Sequence, residues 1–288
     1  MDLYTRNALK CGEITTKNYS TSFSMGVRTL DKKYRPAIYA IYGFVRFADE
    51  IVDTFHDKDK ASLLADFKQR TYEAIDKKMS TNPILHGFQW AVHNYQIDRE
   101  LIDAFLYSME MDLHKKEFSA EEYKQYIYGS AEVVGLMCLR VFYSGRDEEY
   151  RALFPAARKL GEAFQKVNFL RDMRSDLNER GRVYFPEVDM KTFSVDDKNK
   201  IEQEIREDFQ SAFPGIKSLN KEVRLGVYLA YRYYLELLRK IQHARPGQVH
   251  EKRFRVSNTH KFILLVKCYL RNKFDWIKAK LENAPRSG

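Results

Sequence analysis

Apolar side chains recur along this chain every three or four residues, which is the spacing of an amphipathic α-helix. The stretch 34–55 is the clearest case, and Pro36 stands near its start, where a first helical turn tolerates proline. The same spacing predicts further helices over residues 61–78, 83–95, 98–113, 120–143, 147–178, 197–212, 220–243 and 258–282. Segments that alternate like β-strands are short and isolated.

Glycine and proline are predicted to separate several of these helices. Gly145 should end one helix before the next begins, and the pairs Pro214–Gly215 and Pro246–Gly247 predict two further breaks. No internal repeat, low-complexity tract or interdomain linker interrupts the pattern. The sequence therefore predicts one all-α domain over residues 1–288.

Composition narrows the class of protein. A hydrophobic fraction of 44% with 14% aromatic residues supports a large core and argues against disorder. The formal net charge of +9 favours anionic partners such as nucleic acid, phosphorylated metabolites or acidic lipids. Three widely spaced cysteines favour a reducing compartment. With neither a signal-peptide core nor an apolar run of about 18 residues, we expect a cytoplasmic protein that can touch a membrane without crossing it.

An acidic ridge follows the first of these helices. Steps of three or four residues place on one face Tyr42, Arg46, Asp49 and Asp53. A chain with 40 acidic residues in 288 holds roughly five acidic i,i+4 pairs by chance, so this pair alone could belong to a solvated face. Residues 38–48 are mostly apolar, however, which indicates a buried helix. Buried carboxylates are costly unless they are paired or metal-bound, and a cation site is therefore the alternative.

A second acidic ridge lies in the helix predicted for residues 147–178. The same steps place on one face Gln165, Asn168, Asp172 and Asp176. Two D-x-x-x-D pairs on facing helices would line a cleft with carboxylates, and Mg²⁺ often combines carboxylates with substrate phosphates. Arginine, whose planar fork suits phosphate oxygens, stands beside the ridges and in a predicted flap at Arg46, Arg171, Arg180 and Arg182. The pattern predicts a diphosphate site.

Several stretches resemble the squalene/phytoene synthase family, the head-to-head prenyltransferases of the class I isoprenoid synthase fold. STSFSMGVRTL (20–30) is similar to the opening serine–phenylalanine motif, and IYAIYGFVRFADEIVD (38–53) to the first aspartate-rich helix. YIYGSAEVVGLMC (126–138) resembles the tyrosine-and-glycine helix. The most specific match is QKVNFLRDMRSDLNERGRVYFP (165–186), with N-x-x-R-D-x-x-x-D followed by G-R-x-Y-x-P. With GVYLAYRYYLELLRKI (226–241), the resemblance covers nearly the whole chain.

This resemblance implies a single-domain helical bundle with a central cavity. It also implies a Mg²⁺-dependent phytoene synthase of carotenoid biosynthesis, with Mn²⁺ as an alternative ion. Two geranylgeranyl diphosphates would condense through prephytoene diphosphate to phytoene, with release of diphosphate. The stretches MEMDLHKKEF (109–118) and RDMRSDLNERGRVYFP (171–186) resemble bacterial carotenoid enzymes more than squalene synthases. The alternative is a squalene or dehydrosqualene synthase that uses two farnesyl diphosphates. NADPH, which squalene formation requires, is not expected, since the chain contains no G-x-G-x-x-G fingerprint.

Carried over by position, the resemblance implies roles for individual residues. The Mg²⁺ ligands would be Asp49, Asp53, Asn168, Asp172 and Asp176. The substrate-binding residues would be Ser20, Ser22, Arg46, Gln165, Asn168, Arg171 and Arg182. Tyr126 would join the four aspartates in catalysis. Glu132 departs from the family pattern, in which this position is usually small, and would be either a hydrogen-bonded carboxylate or part of an altered chain pocket.

The implied carbocations need a dry cavity with aromatic walls. Candidates for such walls are Phe23, Tyr42, Phe44 and Phe47, although an ordinary core position is favoured for any single ring. The long hydrocarbon tails also predict peripheral contact with a membrane, through residues 250–256 and 271–282. A solvated basic surface is the alternative for both segments.

Other classes of protein explain less of the sequence. A basic helical binding module would account for the charge, but nucleic-acid motifs are missing, two acidic ridges without metal would repel phosphates, and no protein partner is evident. A class I terpene cyclase would also bind its substrate diphosphate through metal held by carboxylates, but it would consume one diphosphate per product. A zinc hydrolase is disfavoured because the seven histidines form no H-E-x-x-H motif.

Overall fold

A computed structural model describes residues 1–177, 181–186, 188, 193–251 and 253–279. These residues form α1 (Leu3–Tyr19), α2 (Thr21–Arg28), α3 (Arg35–Asp53), α4 (Lys60–Lys77), α5 (Pro83–Tyr95), α6 (Arg99–His114), α7 (Ala120–Ile127), α8 (Val133–Phe142), α9 (Asp147–Ser175), α10 (Val195–Ser218), α11 (Lys221–Gln242), α12 (Pro246–Glu251), α13 (Asn258–Lys273) and α14 (Trp276–Ala279). A π-helical turn, Tyr128–Glu132, joins α7 to α8. In the described ranges, β-type pairing is confined to one bridge between Glu117 and Val183. The predicted all-α class is confirmed.

Many helices begin at a polar side chain that caps their first turn. The Ser20 hydroxyl accepts the backbone N–H of Phe23 at 3.2 Å and so starts α2. Ser119 and Ser194 form reciprocal capping boxes at α7 and α10. Each such cap stabilises its helix by about 1 kcal/mol, which holds the ends of these elements in place.

The helix boundaries confirm most of the predicted elements and correct some of them. Pro36 lies in the first turn of α3, and Gly145 adopts a left-handed φ of 72° between α8 and α9, both as predicted. The break predicted at Pro214–Gly215 is wrong, because both residues lie inside α10. Helices α1 and α2 were not among the predicted elements. Asn178 and residues 280–282, the ends of two predicted helices, lie outside the described residues.

Two apolar cores hold the helices together. The first joins α1, α3, α5, α6 and α8, and at its centre the Phe44 ring stacks on Phe88 with centroids 3.8 Å apart. The second joins α7, α9, α10, α11 and α13. None of the helices in the described part of the chain is both long and apolar enough to span a bilayer.

Candidate active site

A cavity of about 420 Å³ is lined by residues of α2, α3, α8, α9, α10, α11 and α13. Most of its wall is apolar, including Ile41 and Val45 of α3 and Leu160 of α9. Its polar and charged lining includes Ser20, Ser22, Asp49, Gln165, Asn168, Arg171 and Lys261. The central cavity implied by the resemblance is therefore present, and it combines a hydrocarbon-compatible wall with groups that can bind an anion.

The lining of α3 and α9 changes from apolar to polar in the same chain direction. On α3 the lining residues run from Ile38 to Asp49, and on α9 from Leu153 to Arg171. Because side chains three or four residues apart share a helix face, a single face of each helix carries both kinds of group. These two helices thus give the cavity an apolar part and a polar part.

Two tyrosines, Tyr42 of α3 and Tyr234 of α11, lie near each other at the polar part of the cavity. The Tyr234 hydroxyl donates a hydrogen bond to Asn168 Oδ1 at 3.2 Å. Burial raises the pKa of Tyr42 to about 12, and the nearby Asp49 and Tyr234 also disfavour its ionisation. Both tyrosines line the cavity, and Tyr42 stays a neutral hydroxyl near pH 7.

The first acidic ridge lies partly inside the cavity and partly beside it. Asp49 lines the cavity with 34% of its side chain exposed, and its Oδ2 lies 3.9 Å from Arg46 Nη1. The Arg46 guanidinium also pairs with Glu50 and covers the Tyr19 ring at 4.4 Å. This arrangement holds a cation next to the ridge, as the sequence predicted.

Arginines also hold the second ridge. Asp172 accepts hydrogen bonds from Arg171 Nε at 3.0 Å, and its Oδ1 lies 2.7 Å from Arg253 Nε. Asp176 is only 6% exposed, and its backbone carbonyl accepts the N–H of Arg182 at 2.8 Å. Arg253 belongs to the segment 250–256 that the sequence associated with membranes, yet the structure places its side chain on a carboxylate of the site. Lys252 of that segment lies outside the described residues.

A network beside the first ridge is centred on Asp112 of α6, which sequence reasoning did not predict. Asp112 accepts the Tyr126 hydroxyl at 2.8 Å and lies 3.4 Å from both Arg182 Nη1 and the Tyr184 hydroxyl. Arg182 Nη1 also reaches Asp53 Oδ1 at 3.0 Å, and Nη2 donates to the Asp112 carbonyl at 3.0 Å. Asp112 and Arg182 therefore join α6 and the loop after α9 to the first ridge.

Burial explains the electrostatics of this network. It raises the pKa of Asp112 to about 7; Arg182 lowers that value, and Asp53 and Asp176 raise it. Burial also raises the pKa of Tyr126 and of Tyr184 well above its usual value. A sequence signal existed, since Asp112 continues the buried stripe of α6 that contains Leu101, Phe105 and Ser108. A carboxylate on a core-facing stripe indicates a buried partner.

The predicted site residues divide into two groups, according to whether they line the cavity. Those that line the cavity are Ser20, Ser22, Asp49, Gln165, Asn168 and Arg171. Those found outside its lining are Arg46, Asp53, Tyr126, Asp172, Asp176 and Arg182. Tyr126 is buried in the second core, with its hydroxyl on Asp112. Arg180 of the predicted flap lies outside the described residues.

The donor chemistry of the ridges fits Mg²⁺, because carboxylate and amide oxygens are its preferred protein ligands. Over the described ranges, however, no three carboxylate, histidine or cysteine side chains are already gathered around one point. Arginine partners hold Asp53 and Asp172 instead. Binding of metal would therefore have to add to or replace these arginine contacts.

The aromatic candidates have different environments. Phe23 and Tyr42 line the cavity and stack with ring centroids 4.8 Å apart. Phe44 is fully buried in the first core, and Phe47 is 38% exposed. Of these four rings, only Phe23 and Tyr42 line the cavity.

Glu132 is a buried carboxylate of the π-helical turn and is not a lining residue. Its Oε2 pairs with Arg158, while burial raises the pKa of Glu132. Its neighbours Ser130 and Ala131 do line the cavity. The contact with Arg158 favours the hydrogen-bonded carboxylate over the altered pocket.

Comparison with known proteins places these features in a family. The family model for squalene/phytoene synthase matches residues 16–260. A chloroplastic phytoene synthase from an Oncidium hybrid cultivar is 30% identical over 91% of this chain and 68% of its own length. A 4,4'-diapophytoene synthase from Staphylococcus haemolyticus is 25% identical over 85% of this chain and 90% of its own. The chain spans only 65% of phytoene synthase 3 from Zea mays, to which it is 27% identical.

Solved structures share the fold at lower identity. A dehydrosqualene synthase in complex with a ligand gives a TM-score of 0.78 at 22% identity, covering 94% of this chain and 98% of its own. A squalene synthase from Alicyclobacillus acidocaldarius gives a TM-score of 0.72 at 19% identity, covering 87% and 97%. With the family model matching most of its length, the chain belongs to the squalene/phytoene synthase family, whose members are prenyltransferases.

Proposed function

We propose that this protein joins two prenyl diphosphates head to head, and that its product is phytoene made from two geranylgeranyl diphosphates. The cavity carries the proposal, because one largely apolar space is bounded by two helices that each end in an acidic ridge with arginine partners. The relatives named phytoene synthase support the C20 donor. The relative named 4,4'-diapophytoene synthase favours the second candidate, a dehydrosqualene or squalene synthase that uses C15 donors.

The diphosphates would bind at the polar part of the cavity. Arg171 lines it, and its guanidinium can exchange Asp172 for phosphate oxygens, to which arginine binds strongly. Ser20 and Ser22 lie at the start of α2, where helix N–H groups favour an anion. Arg46 and Arg182 would add positive charge from just outside the lining.

Mg²⁺ would be held by Asp49, Asp53, Asn168, Asp172 and Asp176. When bound, it would supply positive charge to the diphosphate oxygens as the leaving group departs. Asn168 is already oriented by Tyr234, and Asp53 and Asp176 are kept near Arg182. The task of the protein is to hold these oxygens in and beside the polar part of a largely apolar cavity.

The apolar wall would protect the carbocations that follow ionisation. The first donor would lose its diphosphate, and the double bond of the second donor would attack the resulting cation; loss of a proton would close the ring of a cyclopropylcarbinyl diphosphate. This intermediate would in turn lose its own diphosphate, rearrange and lose a second proton. Phe23 and Tyr42 offer π faces to these cations. Cys138 also lines the cavity, but burial raises the pKa of its thiol to about 12, so it stays neutral and weakly nucleophilic. We place the reaction in the cytoplasm at a membrane surface, since the hydrocarbon tails of its substrates and product are insoluble in water.

The test is to incubate the purified protein with Mg²⁺ and either C15 or C20 prenyl diphosphate, with and without NADPH, and to identify the hydrocarbon. We expect phytoene from the C20 donor without NADPH, and no product when a chelator removes Mg²⁺. Dehydrosqualene, or squalene formed only with NADPH, would support the second candidate. No condensation product from either donor would overturn both.

The site assignment is tested by Asp49→Asn and Asp172→Asn. Each should lower kcat/KM by about 100-fold or more, because each removes a charge that stabilises the departing diphosphate through metal. Asp66→Asn is the matched control, since Asp66 pairs with Arg70 on the exposed face of α4. Wild-type kcat/KM in the first two variants would remove these residues from the site.

A further inference from the structure

The outer side of α13 carries an unusual concentration of exposed apolar residues. In the described part of the chain, seven of the eighteen exposed large apolar side chains fall between residues 262 and 276. They are Phe262, Ile263, Val266, Tyr269, Leu270, Phe274 and Trp276. An apolar cluster of this kind on a soluble domain marks a contact with another surface.

Helix geometry gathers these residues on one side. At 3.6 residues per turn, Phe262, Val266 and Tyr269 fall within about 60° of one another, with Ile263 and Leu270 alongside. We call these five residues the outer face of α13. The opposite side, with Leu264 and Cys268, is buried where α13 packs on α11. A helix that is apolar on two sides is normally covered on both, and among the described residues only one side of α13 is covered.

The charges of α13 indicate what covers the other side. The helix contains Lys261, Lys267, Arg271 and Lys273, and its sixteen residues include no acidic side chain. Lys267 and Lys273 are exposed beside the outer face. A second copy of the chain would oppose this face with the same positive charge, whereas an anionic lipid surface would complement it.

Aromatic side chains follow at the end of the helix. Phe274 and Trp276 are exposed and stack with ring centroids 5.2 Å apart. Tyrosine and tryptophan favour the boundary between lipid and water, because their rings combine an apolar body with a polar atom. Tyr269 within the outer face and Trp276 beyond the end of α13 both suit this boundary.

The same helix borders the cavity. Lys261 and Leu264 line it, and Lys261 Nζ lies 2.9 Å from the Thr21 hydroxyl at the start of α2. Leu264 lies on the side of α13 opposite the outer face, so the cavity and the outer face are separated by about the 10 Å width of one helix.

We propose that the outer face of α13 binds the surface of an anionic lipid bilayer and that prenyl tails pass between bilayer and cavity beside this helix. The binding of lipid stands on the exposed residues and charges alone. The passage of tails rests on the proposed function.

Sedimentation with vesicles tests lipid binding without substrate. Wild-type protein should bind phosphatidylcholine–phosphatidylglycerol vesicles more tightly than pure phosphatidylcholine vesicles, and added salt should weaken this binding. The three-serine variant, with Phe262→Ser, Val266→Ser and Leu270→Ser, should bind these vesicles at least roughly tenfold more weakly than wild type. The reason is that three apolar side chains no longer enter the lipid. Lys267→Glu with Lys273→Glu should lose the preference for anionic vesicles.

Matched controls separate this surface from general exposure. Met79→Ser with Val195→Ser changes exposed apolar residues elsewhere and should leave vesicle binding unchanged. Circular dichroism and the melting temperature establish that each variant is folded. Equal vesicle binding by wild type and the three-serine variant would overturn the proposal. A wild-type dimer that the three-serine variant converts to monomer would overturn it as well, by assigning the face to a second copy.

The passage of tails has its own measurement. With vesicles present, the three-serine variant should match wild type in the first turnover and be several-fold slower in later turnovers, because hydrocarbon release becomes limiting. Absence of any condensation product would count against the proposed function and leave the vesicle result intact. If the three-serine variant and wild type have equal rates in the first and in later turnovers, the proposed passage of tails is wrong, even if wild type binds the vesicles more tightly.

Discussion

A single buried carboxylate, Asp112, connects residues that the sequence could only place in separate segments of the chain. Tyr126, Arg182 and Tyr184 all contact it, and Arg182 continues to Asp53 of the first ridge. A buried charge is tolerated only where partners compensate for lost hydration, and here those partners belong to the site. Asp112 is therefore a positioning residue for the ridge.

Asp112→Asn tests this role. The amide keeps the shape of the side chain but removes the charge that holds Arg182, so we expect kcat/KM to fall by about 10–100-fold and the apparent affinity for Mg²⁺ to fall with it. Glu110→Gln is the control, because Glu110 lies on the same helix and pairs with Lys68 away from the network. Unchanged Mg²⁺ affinity and kcat/KM in Asp112→Asn would contradict the positioning role.

The raised pKa of Asp112 predicts a pH dependence of stability. The pKa of Asp112 is about 7 in the folded protein, whereas an aspartate usually has a pKa of 3.8, so the folded state binds the extra proton between these values. The contribution of this group to stability is complete below about pH 4 and is lost as the pH rises to about 7. The free energy of unfolding of wild type minus that of Asp112→Asn should fall across this window in denaturant titrations. A constant difference would show that Asp112 ionises normally.

At the scale of the helices, the sequence predicted elements with strong apolar spacing and missed those that pack through small residues. The buried side of α1 consists of Thr5, Ala8, Leu9, Gly12, Thr15 and Thr16, which form no apolar stripe. A Cβ on Gly12 would lie 2.7 Å from the Tyr39 carbonyl oxygen, so this helix depends on close backbone approach. Tertiary contact of this kind leaves no periodic signal.

The incorrect break at Pro214–Gly215 has the same origin. Glycine often ends a helix, but a Cβ on Gly215 would lie 2.3 Å from the Ala156 Cβ, where α10 crosses α9. The glycine thus permits a helix crossing, and α10 tolerates Pro214 within its length. Spacing alone cannot separate these two uses of glycine.

Gly215→Ala should therefore destabilise the protein by about 1–3 kcal/mol, despite the better helix propensity of alanine. Adding Ala156→Gly removes the other methyl group and should restore part of the loss, which gives a favourable coupling in a double-mutant cycle. Urea unfolding of the wild type and the three variants measures it. Additive effects would mean that the two helices do not meet at this pair.

At the scale of the molecule, the sequence predicted both acidic ridges and the cations beside them, because each ridge is local to one helix. It could not predict their arginine partners from other segments. Arg253 reaches Asp172 from 81 residues away, and Arg182 reaches Asp53 across 129 residues. These contacts depend on how the helices pack, and they neutralise carboxylates that we assign to metal.

That neutralisation predicts a dependence of thermal stability on combined ligands. Mg²⁺ alone must compete with Arg182 and Arg253, whereas inorganic diphosphate supplied with Mg²⁺ gives the released arginines a new partner. The two together should raise the melting temperature by several degrees, about 2–4 °C per kcal/mol of binding, and by more than the sum of their separate effects. Asp172→Asn should abolish the excess. Simple additivity in the wild-type protein would argue against exchange of these arginines.

The one-directional change in the lining of α3 and α9 affects which molecules leave the cavity. The cyclopropyl intermediate of the proposed reaction keeps one diphosphate, so it remains tethered at the polar part while its two tails fill the apolar part. The final hydrocarbon has no headgroup for those serines, amides and arginines to hold. The intermediate would then stay bound after the first half-reaction, and the hydrocarbon would be released after the second. Both would follow from the order in which the diphosphates are lost, without any moving gate.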